Sequence, residues 1–171
     1  MDVTFDRPDV ELAFSRASKP LYNSVITYSR RKTMPKLSII ITSDKLDKLY
    51  PAAILASTAA AMDWEAELFF TFWGLFALKK GYEPKSVSKD YSQYERALLG
   101  AVESGNLPRW RELMKNAKEG GKVKVYACST TLNTFGVDKE DLDLEDLVDD
   151  IVGAATFLPK AKDSDVTLFI S

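Results

Sequence analysis

The sequence predicts one α/β domain in three layers, a mainly parallel sheet of about five strands with helices on both faces. Two patterns carry that prediction. A short β-branched run at residues 36–41 is followed by polar residues and an Ala-rich helical stretch, and the same strand, turn, helix order then repeats down the chain. Because βα units connect through right-handed crossovers, their repetition builds a parallel sheet covered by helices. A length of 171 residues suits one buried core and is short for two.

Residues 1–34 read as a helical leader. Val10, Leu12, Phe14, Leu21, Val25, Ile26 and Tyr28 are spaced in two short helical patterns with Pro20 between them. The domain proper spans 35–171. Lys36-Leu37-Ser38-Ile39-Ile40-Ile41 has the composition of a strand buried on both faces. Thr42-Ser43-Asp44 supplies capping chemistry for a helix over 46–62, with Pro51 near enough to its start to be tolerated. Residues 64–70 form a second strand, and Phe72-Trp73-Gly74-Leu75 opens a short helix that Gly81 stops.

Residues 82–107 are polar and read as an inserted excursion containing a helix at 91–102. Helical spacing returns at 108–118 and ends at Gly120-Gly121. Val123, Val125 and Ala127 alternate with polar partners in a third strand that ends at Cys128, and Ser129-Thr130-Thr131 can cap a short helix through Phe135. The acidic stretch 138–150 precedes a helix expected at 151–161, and residues 165–170 alternate as the final strand.

Composition removes many functions. A net charge of −2 and a pI near 5.3 give no field for nucleic acid. The N-terminus has no secretory pattern, which places the protein in the cytoplasm. The longest apolar stretch, residues 68–78, is well short of the roughly 20 residues that span a bilayer. One cysteine excludes an internal disulfide, and the absence of histidine removes Cys-His dyads, Ser-His-Asp triads and His-based metal sites. Asp141, Asp143 and Glu145 alternate as in a calcium loop, but Asp146 stands where glycine is needed and Val152 where glutamate is needed. Gly120-Gly121-Lys122 lies between helix and strand, the reverse of a phosphate loop.

Ligands of open α/β sheets sit beyond the carboxyl ends of the strands. Three points of the sequence fall there: Ser43 and Asp44 after the first strand, Phe72 and Trp73 after the second, and Cys128, Ser129 and Thr130 after the third. A cysteine at a helix N-terminus is biased towards thiolate, the nucleophilic form. A cysteine at a strand end is equally often a small buried hydrophobe, and the residues alone leave both readings open. Ser43 and Asp44 are also ordinary caps, Phe72 and Trp73 ordinary core, and the acidic stretch an ordinary solvated face with the alternative of docking a basic carrier.

Several segments together resemble the DsrE/DsrF-like family, in particular its peroxiredoxin-like subgroup. They are Ser43-Asp44-Lys45-Leu46-Asp47-Lys48, Leu68-Phe69-Phe70-Thr71-Phe72-Trp73-Gly74-Leu75, Val125-Tyr126-Ala127-Cys128-Ser129, Phe135-Gly136-Val137 with Glu140-Asp141-Leu142, and Asp165-Val166-Thr167-Leu168-Phe169-Ile170. The resemblance covers about 35–171 and implies a flavodoxin-like fold, a homo-oligomer, no cofactor, and sulfane sulfur carried on Cys128 as a persulfide or thiosulfonate. It further implies exchange with TusA-like or rhodanese-type partners, either as a carrier or as a sulfurtransferase. With no second cysteine the other thiol must come from a partner. A non-catalytic oligomeric scaffold with an inert Cys128 is the alternative. A peroxidase ranks third, for want of a resolving cysteine and of a threonine-and-cysteine peroxidase motif.

Overall fold

A computed structural model of the chain describes residues 34–171, so the expected leader lies outside the described residues. Five parallel strands form one sheet in the order β4-β3-β2-β1-β5. They are β1 (Lys36–Ile41), β2 (Glu65–Phe70), β3 (Val123–Cys128), β4 (Asp150–Val152) and β5 (Val166–Ile170). Five α-helices connect or extend them: α1 (Leu46–Ala61), α2 (Ser92–Glu103), α3 (Trp110–Glu119), α4 (Ser129–Phe135) and α5 (Ala154–Lys162). A 3₁₀ helix, Phe72–Leu78, follows β2 where a short helix was expected.

The strand order explains the layers. From β1 to β4 each strand is added on the same side of the last, so right-handed crossovers keep those connections on one face. The step from β4 to β5 runs back across the whole sheet, and the same handedness puts its helix, α5, on the opposite face. The buried side chains divide accordingly. Ile39, Ile41, Leu68, Phe70, Val123 and Val125 form a core with α1 and α3, into which the partly buried Leu99 and Val102 of α2 also pack. Ala52, Ala53, Ala56 and Ala59 make the buried side of α1 thin enough to lie close to the sheet. On the other face Phe157 of α5 stacks on Phe69 at 4.7 Å and meets Tyr126 edge-on. Full burial of one such ring is worth roughly 1.5–3 kcal/mol.

Two corrections concern helix ends. Residues 151 and 152 do not begin a helix: Ile151 and Val152 belong to β4, pairing with Ala127 and Cys128, and α5 starts at Ala154. Their β-branched side chains suit the sheet, and Gly153 then breaks the strand and takes the N-cap position. The cap of α1 is Lys45, not Ser43 or Asp44. Ser43 Oγ accepts from the Lys45 amide at 3.3 Å, one turn of chain before the helix.

The acidic stretch is a structural tie. Arg111, 9% exposed, donates to the carbonyls of Ala77, Lys79 and Tyr82 and forms an ion pair with Asp143 at 2.8 Å. Asp149 accepts from the Val125 amide and from Lys118, both at 2.7 Å, and pairs with Lys124 at 3.3 Å. Leu147 and Val148 between them, and Leu142 just before, are buried. Burial pushes the Asp149 carboxyl up, but Lys118, the Val125 amide and Lys124 outweigh it and hold it below its ordinary value.

A depressed carboxylate stabilises the fold fully above the unfolded-state value, about 3.9 for aspartate, and loses that contribution as pH falls through the lower folded value. Asp149→Asn should therefore cost about 1–2 kcal/mol at pH 7 in urea unfolding, a figure discounted for partial exposure. The difference from the parent protein should narrow as pH is taken below about 4. A constant difference across that range would show that the charge of Asp149 contributes nothing.

Candidate functional site

The chain leaving β3 turns towards the α1 and α3 side, where Leu132 of α4 is buried, whereas the chain leaving β4 turns towards the α5 side. Adjacent strands whose connections diverge leave a crevice at their carboxyl ends. Cys128, the last residue of β3, stands at this point beside Val152, the last residue of β4. Ser129 Oγ lies 3.5 Å from the position a Cβ on Gly153 would take, so the first residue of α4 and the N-cap of α5 meet here.

Cys128 is 4% exposed and holds the N-cap position of α4, the position expected for Ser129 to Thr131. Sulfur is a weak acceptor, and no side-chain cap bond of strict geometry forms. Burial pushes the thiol up, but the hydroxyls of Thr131 and Thr71 and the amides of Thr131 and Thr130 more than offset it, leaving the thiol below its ordinary range. All four of these donors are neutral. The thiolate is thus favoured by hydrogen bonding and local dipoles, consistent with a chain that has no histidine to pair with it.

The two threonines were not anticipated. Thr71 follows β2 and Thr131 lies in the first turn of α4, and their hydroxyl oxygens are 3.1 Å apart. The Thr71 amide donates to Ile41 O at 2.9 Å, anchoring it to the end of β1. The Phe72 amide donates to Thr131 Oγ1 at 3.0 Å, while Phe72 itself has φ of 47°, a left-handed conformation uncommon for a bulky residue. Gly74 explains how the segment fits: a Cβ there would stand 2.5 Å from Ile41 O. In the sequence these threonines look like generic turn and cap residues, and only the convergence of β1, β2 and β3 gives them a shared target.

The other expected residues separate into two groups. Ser129 and Thr130 are at the crevice. Phe72 and Trp73 flank it and are exposed, at 59% and 56%, so they are not core; Trp73 stacks on Phe135 with ring centroids 5.0 Å apart. Asp44 is turned elsewhere and accepts a hydrogen bond from Tyr82, whose phenol is pushed up to about 12 by burial and by that carboxylate. Tyr82 lines a separate cavity of about 600 Å³ with Tyr50, Leu99, Val102 and Trp110. Among the described residues no group of His, Cys, Asp and Glu could hold a metal ion.

A family model described as DsrE/DsrF/DrsH-like matches residues 33–98 and 93–169. The chain is 33% identical to the sulfur carrier protein DsrE2 of Allochromatium vinosum, over 79% of this chain and 98% of that protein. It is 32% identical to the uncharacterized protein YrkE of Bacillus subtilis, over 79% and 96%. The fold matches a solved protein of unknown function from Methanobacterium thermoautotrophicum with a TM-score of 0.50 and 19% identity, over 78% of this chain and 98% of that one. That likeness speaks to the flavodoxin-like α/β fold alone.

Two outcomes test the site. Alkylation of Cys128 by iodoacetamide should persist to lower pH than that of a free cysteine, and Thr71→Val should slow it about tenfold at neutral pH, the size of one charge-assisted hydrogen bond of roughly 1.5 kcal/mol. An unchanged rate in Thr71→Val would remove that threonine from the site. Gly74→Ala should destabilise the protein by about 1–3 kcal/mol in urea unfolding, since the clash is with backbone; a neutral effect would mean that the 3₁₀ helix moves freely away from β1.

Proposed function

The chain belongs to the DsrE/DsrF/DrsH-like family, and from that footing we propose that it is a sulfur-relay protein in which Cys128 carries sulfane sulfur. The observation that carries this reading is the placement of Cys128, the last residue of β3 and the N-cap of α4, at the β3–β4 crevice, with its thiol held below its ordinary range. A thiolate so placed attacks a divalent sulfane sulfur of a donor, forming a new S–S bond as the donor's S–S bond breaks. Thiosulfate would leave sulfite and give a persulfide, and tetrathionate would leave thiosulfate and give a thiosulfonate. An acceptor thiolate then attacks the sulfur bonded to Cys128 Sγ, taking over the sulfane sulfur or the thiosulfonate group, and Cys128 leaves as thiolate.

With one cysteine in the chain, the acceptor thiol belongs to a partner, for which a TusA-like or rhodanese-type protein is the expected class. We assign the relay to residues 35–171 and place it in the cytoplasm; among the described residues no helix is long and apolar enough to cross a membrane. Homo-oligomeric assembly is supported by Phe169 and Leu158, exposed at 65% and 58% on the face where α5 is the one helix among the described residues.

The scaffold reading is favoured by one observation, the 4% exposure of Cys128. Intact mass spectrometry of the reduced protein and of Cys128→Ser, after exposure to thiosulfate, tetrathionate and polysulfide, separates the two. The relay predicts a mass gain of sulfur or thiosulfonate that is absent from Cys128→Ser and released by a reductant. No adduct from any donor, with a thiol that labels only after denaturation, would leave the scaffold.

A further inference from the structure

The cavity beside Tyr82 has walls that are fixed independently of any occupant. Its volume of about 600 Å³ lies within the roughly 300–1,000 Å³ typical of small-molecule sites. Tyr50 donates its phenol proton to Pro108 O at 3.0 Å, and Tyr82 donates its own to Asp44. The chain after Tyr82 is fastened to α1, because the Leu46 amide donates to Ser86 O at 2.9 Å and Ser88 donates through its amide and its hydroxyl to Asp47, both at 2.7 Å. Arg111 holds the Tyr82 carbonyl at 3.2 Å. No residue of α2 is buried, and its Leu99 and Val102 line the cavity without filling it.

The lining sets the chemistry of a ligand. Tyr50, Tyr82 and Trp110 supply three aromatic side chains, which suit a flat ring system. Both phenol protons are committed, so towards a ligand each phenol oxygen can only accept. Trp110 is 2% exposed, and its indole N–H has no acceptor among the described residues, although a buried donor is costly to leave unpaired. One hydroxyl group meets both demands, donating to a phenol oxygen and accepting from the indole. The charges of the lining balance, with Glu83 and Glu103 against Lys85 and Arg109, and Arg109 stands 3.8 Å from Glu83. A charged ligand would find no surplus of the opposite sign to offset its desolvation.

From these features we propose that the cavity is a second binding site, taking an uncharged, flat aromatic molecule that bears a hydroxyl group. Cys128, Ser129 and Thr130 are absent from its lining, so the inference does not rest on the relay reading. Seated there, the ring gives Leu99 and Val102 of α2 an apolar neighbour that the protein by itself does not supply, and the hydroxyl fixes its orientation.

The test is titration of the isotope-labelled full chain with 2-naphthol, which is uncharged at neutral pH, followed by two-dimensional NMR at the amides of Tyr82 and Leu99 and at the indole of Trp110. These signals should shift together and saturate. Trp110→Phe, which keeps a ring and removes the N–H, should weaken binding about fivefold, the size of one ordinary neutral hydrogen bond. Val102→Trp, which fills the cavity, should abolish saturable binding, and naphthalenesulfonate should bind more weakly than the naphthol. Shifts that never saturate in the parent protein would overturn the proposal, as would naphthol binding that is unchanged in both variants. Tighter binding of the sulfonate would overturn the choice of an uncharged ligand. Sulfur uptake by Cys128, read separately by mass, decides the relay and leaves this outcome untouched.

Discussion

The handedness of one crossover governs this molecule. Four strands are laid down in a single direction, and the fifth joins the sheet beside β1, on the far side from β4. A right-handed return over that distance has to use the face opposite α1 and α3, and α5 is the helix that makes it. Reversal at β4 parts the chains leaving β3 and β4 to opposite faces, and the crevice between them is where Cys128 stands. Among the described residues the same reversal leaves α5 as the single helix on its face, with Phe157 stacked on Phe69 and Phe169 of the edge strand exposed.

Within that crevice two physical effects oppose each other at the sulfur. A thiol 4% exposed would ordinarily be held neutral, since burial disfavours the charged form. Here the hydroxyls of Thr131 and Thr71 and the first amides of α4 outweigh burial and hold the thiol below its ordinary range. In the proposed relay, neutral donors would suit the thiol better than a cationic partner. They favour the thiolate without locking it in an ion pair, so the sulfur remains both a nucleophile and a leaving group, as exchange in two directions demands. The arrangement depends on Gly74, whose missing side chain lets the segment after β2 lie against the end of β1 and bring Thr71 towards the sulfur.

The acidic stretch illustrates how charge in a sequence can be spent inside a fold. Asp143 is taken by Arg111, Asp146 by Lys115, Asp149 by Lys118 and Lys124, and Asp141 by Lys79. These pairs fasten the path from α4 to β4 over α3 and under the 3₁₀ helix, with Leu142 and Leu147 as its apolar anchors. A solvated face is thus the better description of its outward side, and the exposed aromatic pair beside Cys128 is the more distinctive surface.

Local chemistry determined a good deal by itself. The limits of β1, the helices expected at 46–62 and 108–118 and found at Leu46–Ala61 and Trp110–Glu119, the third strand ending at Cys128 and the final strand follow from periodicity, glycine stops and β-branched runs, which act over a few residues. The same local information identified Cys128 as the one candidate thiol, because the chain holds no other cysteine and no histidine. Tertiary structure decided the rest. Ile151 and Val152 look like the start of a helix until β3 offers them a partner, and a three-residue strand has too few residues to show a period of its own. Ser43, Asp44, Phe72 and Trp73 could each have been core, cap or site. The fold sent Asp44 to Tyr82 and left Phe72 and Trp73 at the surface beside the sulfur. Thr71 and Thr131, 60 residues apart, became a pair only when parallel pairing brought the ends of β2 and β3 side by side, a long-range register that no stretch of sequence contains.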